Sequence, residues 1–208
     1  MVRQSAYRRS VRSRLIEVHL QQVEQLLATD GRVRQVPKGE HVFFQGDRDA
    51  RLHFVRAGHL KAYYTGIDGR EQVKSLVGPG ASIGSLAAME PGGSCTFSLV
   101  AIRDATIISL PFDLLVRQAE TDIGFANEVI AFLIAFARRK EKREHDLLCL
   151  TAEERYRGFL AGNPADAAAV PQADIAAHIG ITPQALSRIK RRIAQQDRTT
   201  KGYASGSE

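Results

Sequence analysis

Val170–Ile193, VPQADIAAHIGITPQALSRIKRRI, decides how the rest of the chain is read. Ile175, Ile179, Ile181, Leu186 and Ile189 are apolar at the spacing that buries one face of each of two short helices against the other. Ala176 sits four residues before Gly180, a small side chain where the second helix must come close. Gly180 can take the positive φ that a tight inter-helix turn demands. Thr182 offers a side-chain oxygen as N-cap. Pro183 takes the first helical position, where a missing N–H costs nothing. Gln184, Ser187, Arg188, Lys190, Arg191 and Arg192 fall off the buried stripe, which predicts a helix-turn-helix with a basic outer face.

Composition is compatible with that reading. The 208 residues hold one large or two modest domains, with 44% hydrophobic and 25% charged residues, as in ordinary globular proteins. A net charge of +6 and a pI near 9.6 favour a polyanionic partner. Cys95 and Cys149 are too few for a disulfide framework, a four-cysteine zinc site or a cysteine-ligated iron–sulfur cluster. A reducing cytoplasm is the expected setting. The longest apolar run, Val129–Ala137, is half a bilayer span, so no membrane role is expected. Arg3, Arg8, Arg9, Arg12 and Arg14 are followed by no apolar segment, which fits a solvated basic tail better than a secretory signal or a transit peptide.

Taken in order, Leu15, Val18, Val23, Leu26 and Leu27 predict an amphipathic helix over 11–27, within an N-terminal segment 1–32. From Val33 the period changes to alternation, with Gly, Asp or Pro closing each short run. Strands are expected at His41–Phe44, Leu52–Arg56, Leu60–Thr65, Gln72–Val77, Ile83–Leu86, Thr96–Ile102 and Thr106–Leu110. This is the pattern of an antiparallel β-barrel or jelly roll, assigned to 33–120. Pro111 ends it, and a short helix follows over Phe112–Ala119. A long helix then runs over 121–150, apolar nearly all round in its first half. Such a helix needs cover on two sides, and a second copy of the chain can supply one of them. Phe125, Val129, Phe132, Leu133 and Phe136 are the candidate dimer residues. Arg138–Asp146, with its mixed charges, reads as a solvated face. Thr151 and Glu154 form a capping box that opens the last domain, 151–197. Residues 198–208 read as a polar tail without structure. The fold class is α+β.

This order of parts resembles the Crp–Fnr family of transcription regulators. The likeness is carried by Val36-Pro37-Lys38-Gly39-Glu40, by the series Gly46, Gly58, Gly69, Gly78 and Gly80, by Ser82-Ile83-Gly84 and by Ile175–Arg191. It implies a cyclic-nucleotide-binding-like barrel, a homodimer, a pseudo-palindromic duplex DNA site and RNA polymerase as a further partner. In members that bind cyclic AMP, a Gly-Glu-Leu turn holds the ribose and phosphate, and an Arg-Ser pair neutralises the phosphate. Here Gly84-Ser85-Leu86 replaces the glutamate, and Cys95 and Thr96 fall on the Arg-Ser positions. Adenine would meet Lys140 and Glu141. Without the arginine the charge-assisted bond to a buried phosphate is lost, so cyclic AMP is not expected to bind in the usual manner. An empty barrel and a different, unidentified effector both remain open. The oxygen-sensing branch needs an N-terminal cysteine cluster that this sequence lacks. His41, His53 and His59 are expected on polar strand faces rather than as haem ligands, and Cys95 as a small apolar strand residue. The fifteen residues after Ile193 are too few for the family's usual wing.

The resulting expectation is a DNA-binding regulator without enzymatic activity. Gln184 and Arg188 would read bases, with Ser187 beside them. Thr182, Lys190 and Arg191 would meet phosphates. The alternatives are a barrel that senses or scaffolds through a protein partner, and a metal-dependent cupin-like enzyme. The latter fits poorly, because His53 and His59 straddle a glycine turn rather than forming a His-x-His pair.

Overall fold

The computed structural model describes residues 21–162 and 164–204, with the backbone path alone for 164–166 and 197–204. Helix α1 (Gln21–Asp30) is followed by eight strands: β1 (Arg32–Val36), β2 (His41–Phe43), β3 (Arg51–Ala57), β4 (Leu60–Thr65), β5 (Glu71–Val77), β6 (Ser82–Ile83), β7 (Ser98–Ala101) and β8 (Ala105–Pro111). A 3₁₀ turn, Leu86–Met89, interrupts them. Helices α2 (Phe112–Thr121), α3 (Ile123–Cys149), α4 (Ala152–Gly162), α5 (Pro164–Ala169), α6 (Gln172–His178) and α7 (Pro183–Ala204) complete the order. Residues 11–20 of the expected first helix, and the basic tail before them, lie outside the described residues.

The strands form two antiparallel four-stranded sheets, in orders β1-β8-β3-β6 and β2-β7-β4-β5. Such a pair is the jelly roll that the alternation predicts. Alternate residues face inward, so Val36, Val55, Leu60, Phe97, Leu99 and Ile107 share a closed apolar core. The β3–β4 corner is set by Gly58, at φ +79°. A Cβ there would stand 2.1 Å from the Asp104 carbonyl oxygen and 2.5 Å from Ala105 Cα. Glycine is the residue that satisfies both the dihedral and the approach.

Below the barrel, Val23, Leu52, Leu110, Leu115 and Phe125 form a second core, with Val129 and Phe132 packed on it. Glu128 of α3 accepts from the backbone amides of Gln22 and Val23 at 3.1 Å each, which ties α1 to the long helix. Asp122 closes α2, its own amide donating to the Gln118 carbonyl. It also opens α3, its carboxylate accepting from Gly124 and Phe125 amides at 2.7 and 3.1 Å.

This core takes up part of the expected dimer face. Phe125 and Phe136 are buried within their own chain. Val129, Phe132 and Leu133 are half-buried. The exposed large apolar residues of α3 are Ile123, Ile130, Ile134, Leu147 and Leu148.

The capping box is present. Thr151 N–H donates to Glu154 Oε2 at 2.8 Å, and Glu154 N–H donates back to Thr151 Oγ1 at 3.3 Å. A third core joins α4 to the helix-turn-helix through Tyr156, Phe159, Val170, Ile175, Ala176, Ile179, Leu186 and Ile189. Ile102 of the barrel is buried with them, and Leu76 packs against them. The terminal domain is therefore docked on the barrel. Lys61 to Asp174 at 3.4 Å and Arg103 Nε to the Ala169 carbonyl at 2.7 Å reinforce the contact.

Two further readings change. The extra helix α5 precedes the helix-turn-helix. The backbone of α7 stays helical to Ala204, past Arg198 and through Gly202, since polar composition alone does not stop a helix.

Gly58→Ala is expected to destabilise the protein by about 2 kcal/mol or more, combining the left-handed dihedral with a backbone clash. Urea unfolding followed by circular dichroism measures it.

Candidate nucleic-acid interface and barrel site

Gly180 takes φ +78°, and Thr182 Oγ1 accepts the Ala185 amide at 3.2 Å, so turn and cap form where the residue types require them. Ala176 is fully buried at the closest approach of the two helices. Gln184, Ser187, Arg188 and Arg191 are all exposed and follow one another at i, i+3, i+4 and i+7, a single face of α7. Among the described residues Arg188 and Arg191 have no ion-pair partner. Lys190 is exposed at the edge of that face and donates to Gln172 Oε1 at 2.9 Å. Arg192 turns the other way, to Glu153, which also holds Arg157. The face offers forked donors suited to guanine edges or phosphates and an amide suited to adenine.

In the barrel, Gly84 and Ser85 are buried, Leu86 and Thr96 are exposed, and Cys95 is 2% exposed. A Cβ on Gly84 would come within 2.7 Å of the Arg51 carbonyl oxygen. Ser85 Oγ accepts the Thr96 amide at 3.2 Å, which stitches the turn to the following loop. Cys95 lies in that loop rather than in a strand, because β7 begins only at Ser98. Its Sγ approaches the Asp49 carbonyl at 3.8 Å, and burial pushes the thiol above its ordinary value. A raised thiol holds little thiolate at neutral pH, which argues for a packing role. The five residues thus meet through backbone and hydroxyl contacts, with no cation among them.

Positive charge comes from elsewhere. Lys74 of β5 stands over the Phe97 ring, its Nζ 4.4 Å from the centroid. Its pKa is pushed down to about 8 by burial first, then by Lys140 and Arg143 of α3. Lys140 lies over the Phe136 ring at 4.7 Å. Arg143, in the stretch expected to be solvated, instead donates to the Val73 carbonyl at 2.8 Å, the His178 carbonyl at 2.9 Å and His178 Nδ1 at 3.2 Å. Burial and the facing guanidinium hold the His178 pKa down to about 3, so its imidazole is neutral and can accept. Arg155 donates to the Ile179 carbonyl at 2.8 Å and to the Leu150 carbonyl. The sequence reading missed Lys74, Arg143, Arg155 and His178. One signal was available: a lysine inside an otherwise buried strand pattern.

The other histidines are separated. His41 Nε2 meets the Tyr63 hydroxyl at 2.8 Å. His53 is 1% exposed rather than on a polar face, with Nδ1 2.9 Å from Ser109 Oγ and Nε2 3.6 Å from Asp49. His59 is also buried. Among the described residues no three histidine, cysteine or carboxylate side chains converge as metal ligands would.

Residues 33–122 match the cyclic nucleotide-binding domain family. The cyclic AMP receptor protein of Thermus thermophilus is 29% identical over 118 residues, covering 55% of this chain and 52% of that protein. FixK2 from Bradyrhizobium japonicum superposes with a TM-score of 0.71 at 22% identity, covering 80% of this chain and 86% of that one, a likeness of fold. The chain therefore carries a cyclic nucleotide-binding domain over 33–122 and shares the overall fold of FixK2.

It spans about half the length of that receptor protein. The patatin-like phospholipase domain-containing protein 7 of Rattus norvegicus is 32% identical over 117 residues, but these are 9% of its length, so the likeness concerns a domain and not its chemistry. Among the described residues no helix is long and apolar enough to cross a membrane. At the turn where the resemblance placed a phosphate site, this chain carries Ser85, Cys95 and Thr96, while Lys74 and Arg143 lie on β5 and α3.

Lys74 has no carboxylate partner, so its charge costs stability. Because its folded pKa lies below a lysine's ordinary 10.5, the unfolded chain holds more protons between about pH 8 and 10.5, and stability rises with pH across that window. Below pH 8 the penalty is complete. Lys74→Met is therefore expected to stabilise the protein at pH 7 by on the order of 1–3 kcal/mol. It should also flatten the rise above pH 8. Thermal melts across pH 7–10.5 measure both.

Proposed function

We propose that the chain is a homodimeric, DNA-binding transcription regulator whose barrel responds to an effector other than cyclic AMP. The observation that carries this reading is the solvent-facing set Gln184, Ser187, Arg188 and Arg191 on α7, held in place by the turn at Gly180 and the buried Ile175–Leu186 packing. In the major groove, Arg188 pairs with guanine and Gln184 with adenine, each worth about 1–3 kcal/mol of discrimination. Ser187 completes the face. Thr182, Lys190 and Arg191 contact phosphates and fix register.

The dimer reading rests on α3. Ile123, Ile130 and Ile134 are exposed, and with Asn127 and Ala137 they follow the alternating four- and three-residue steps of a coiled-coil seam. Two such seams packed together would set paired α7 helices against successive major grooves of a pseudo-palindromic site. A cyclic nucleotide phosphate would find Cys95 and Ser85 already engaged, and the neighbouring Arg51 paired with Asp49. That supports an effector of different shape or placement.

Arg188→Ala is expected to relax preference at one base pair per half-site, measured by selection from randomised duplexes. Equal loss on selected and scrambled DNA removes that role. Lys190→Ala should reduce the salt dependence of binding by about one unit of slope. Ile134→Lys should convert a dimer to a folded monomer in sedimentation equilibrium, and a dimer that persists overturns the seam.

A further inference from the structure

Where β5, α3, α4 and α6 meet, a cleft of about 300 Å³ opens between the barrel and the helix-turn-helix. Arg139, Lys142, Arg143 and Arg155 line it, and Asp146 is the one carboxylate among the described lining residues. Asp146 is already held by Lys142. Arg143 and Arg155 donate to carbonyls and to a neutral imidazole, so their hydrogen bonds are met while their charges are not. His178, neutral, adds no charge of its own. Four cations thus face one committed anion in a partly enclosed space. Unpaired charge of this kind is costly without a counter-charge.

The floor is unusual in the same place. Gly158 and Gly162 stand one turn apart on α4, and a Cβ on either would meet nothing within 4 Å. The helix backbone is bare toward the cleft, which leaves room for an occupant. Phe159, Leu76, Leu147 and Ile179 add apolar lining to the same cleft. The volume is at the lower end of small-molecule sites.

We infer that this hinge cleft binds a small phosphomonoester, its phosphate between Arg139 and Lys142 and its apolar body over Gly158 and against Phe159. The ligand would bridge the barrel, the long helix and the helix-turn-helix, and so set the angle at which α7 is presented. That regulatory consequence rests on the DNA-binding reading; occupancy of the cleft does not, and the two fail separately.

The probe is phenyl phosphate, titrated into the full chain by isothermal calorimetry, with inorganic phosphate as the comparison. Saturable binding is expected, at least about tenfold tighter than inorganic phosphate, because the ring adds apolar burial. Gly158→Leu fills the floor and should weaken binding about tenfold or more, with a ligand-free melting temperature equal to or above the parent's. Arg139→Gln should weaken it as well, through charge alone. Absence of saturable binding in the parent, or unchanged affinity in Gly158→Leu, overturns the proposal. Duplex DNA supplies the same phosphate chemistry from another source. If Gly158→Leu lowers affinity for a short duplex as much as it lowers phenyl phosphate binding, the cleft serves the DNA backbone and the proposal falls. Duplex affinity unchanged by the substitution supports it.

Discussion

One guanidinium is taken out of water at the junction of all three parts of the molecule. Arg143 rises from α3 and reaches the Val73 carbonyl of the barrel and both the carbonyl and ring nitrogen of His178 at the end of α6. Three acceptors converge on one planar fork, a geometry that a lysine's single ammonium cannot reproduce. The imidazole must stay neutral to accept, and burial beside the guanidinium keeps it so. Because the contact spans barrel, long helix and helix-turn-helix, the relative placement of those parts depends on it more than on any one apolar pair.

What was legible in the sequence was whatever is decided within a few residues. Gly180, Thr182 and Pro183 announce a turn, a cap and a helix start because each acts on its immediate neighbours. The capping box at Thr151 and Glu154 is equally local. Strand alternation marked the barrel, with ends off by a residue or two where exposed positions such as Phe44 and Thr96 continue the period past the paired residues. Arg143 could not be separated from Arg138, Lys142 or Glu144 in a charged run, since its burial is decided by a strand 70 residues away. The face of α3 was only partly legible for a related reason. Phenylalanines look like the better interface residues, but the barrel's underside had the prior claim on Phe125 and Phe132 and left the isoleucines outside.

Charge is distributed unevenly between the two candidate ligand regions. The turn at Gly84–Leu86 has its serine spent on the Thr96 amide and a buried thiol where a cation would stand. The positive groups gather instead on β5 and on the second half of α3, against Phe97 and Phe136 and around the hinge. The barrel thus keeps the fold of a nucleotide-binding module while a cluster of cations lies beside it, nearer the helix-turn-helix.

Asp122 gives the long helix a mechanical property. The residue ends one helix and begins the next, so no slack separates them. From that fulcrum the 27-residue rod extends about 40 Å, at 1.5 Å per residue. Rotation by only about 5° at its base sweeps the far tip through roughly 3–4 Å, by the same length. A turn of that size would have to release Arg143 from the Val73 carbonyl, so the leverage of one carboxylate is held in check by one guanidinium.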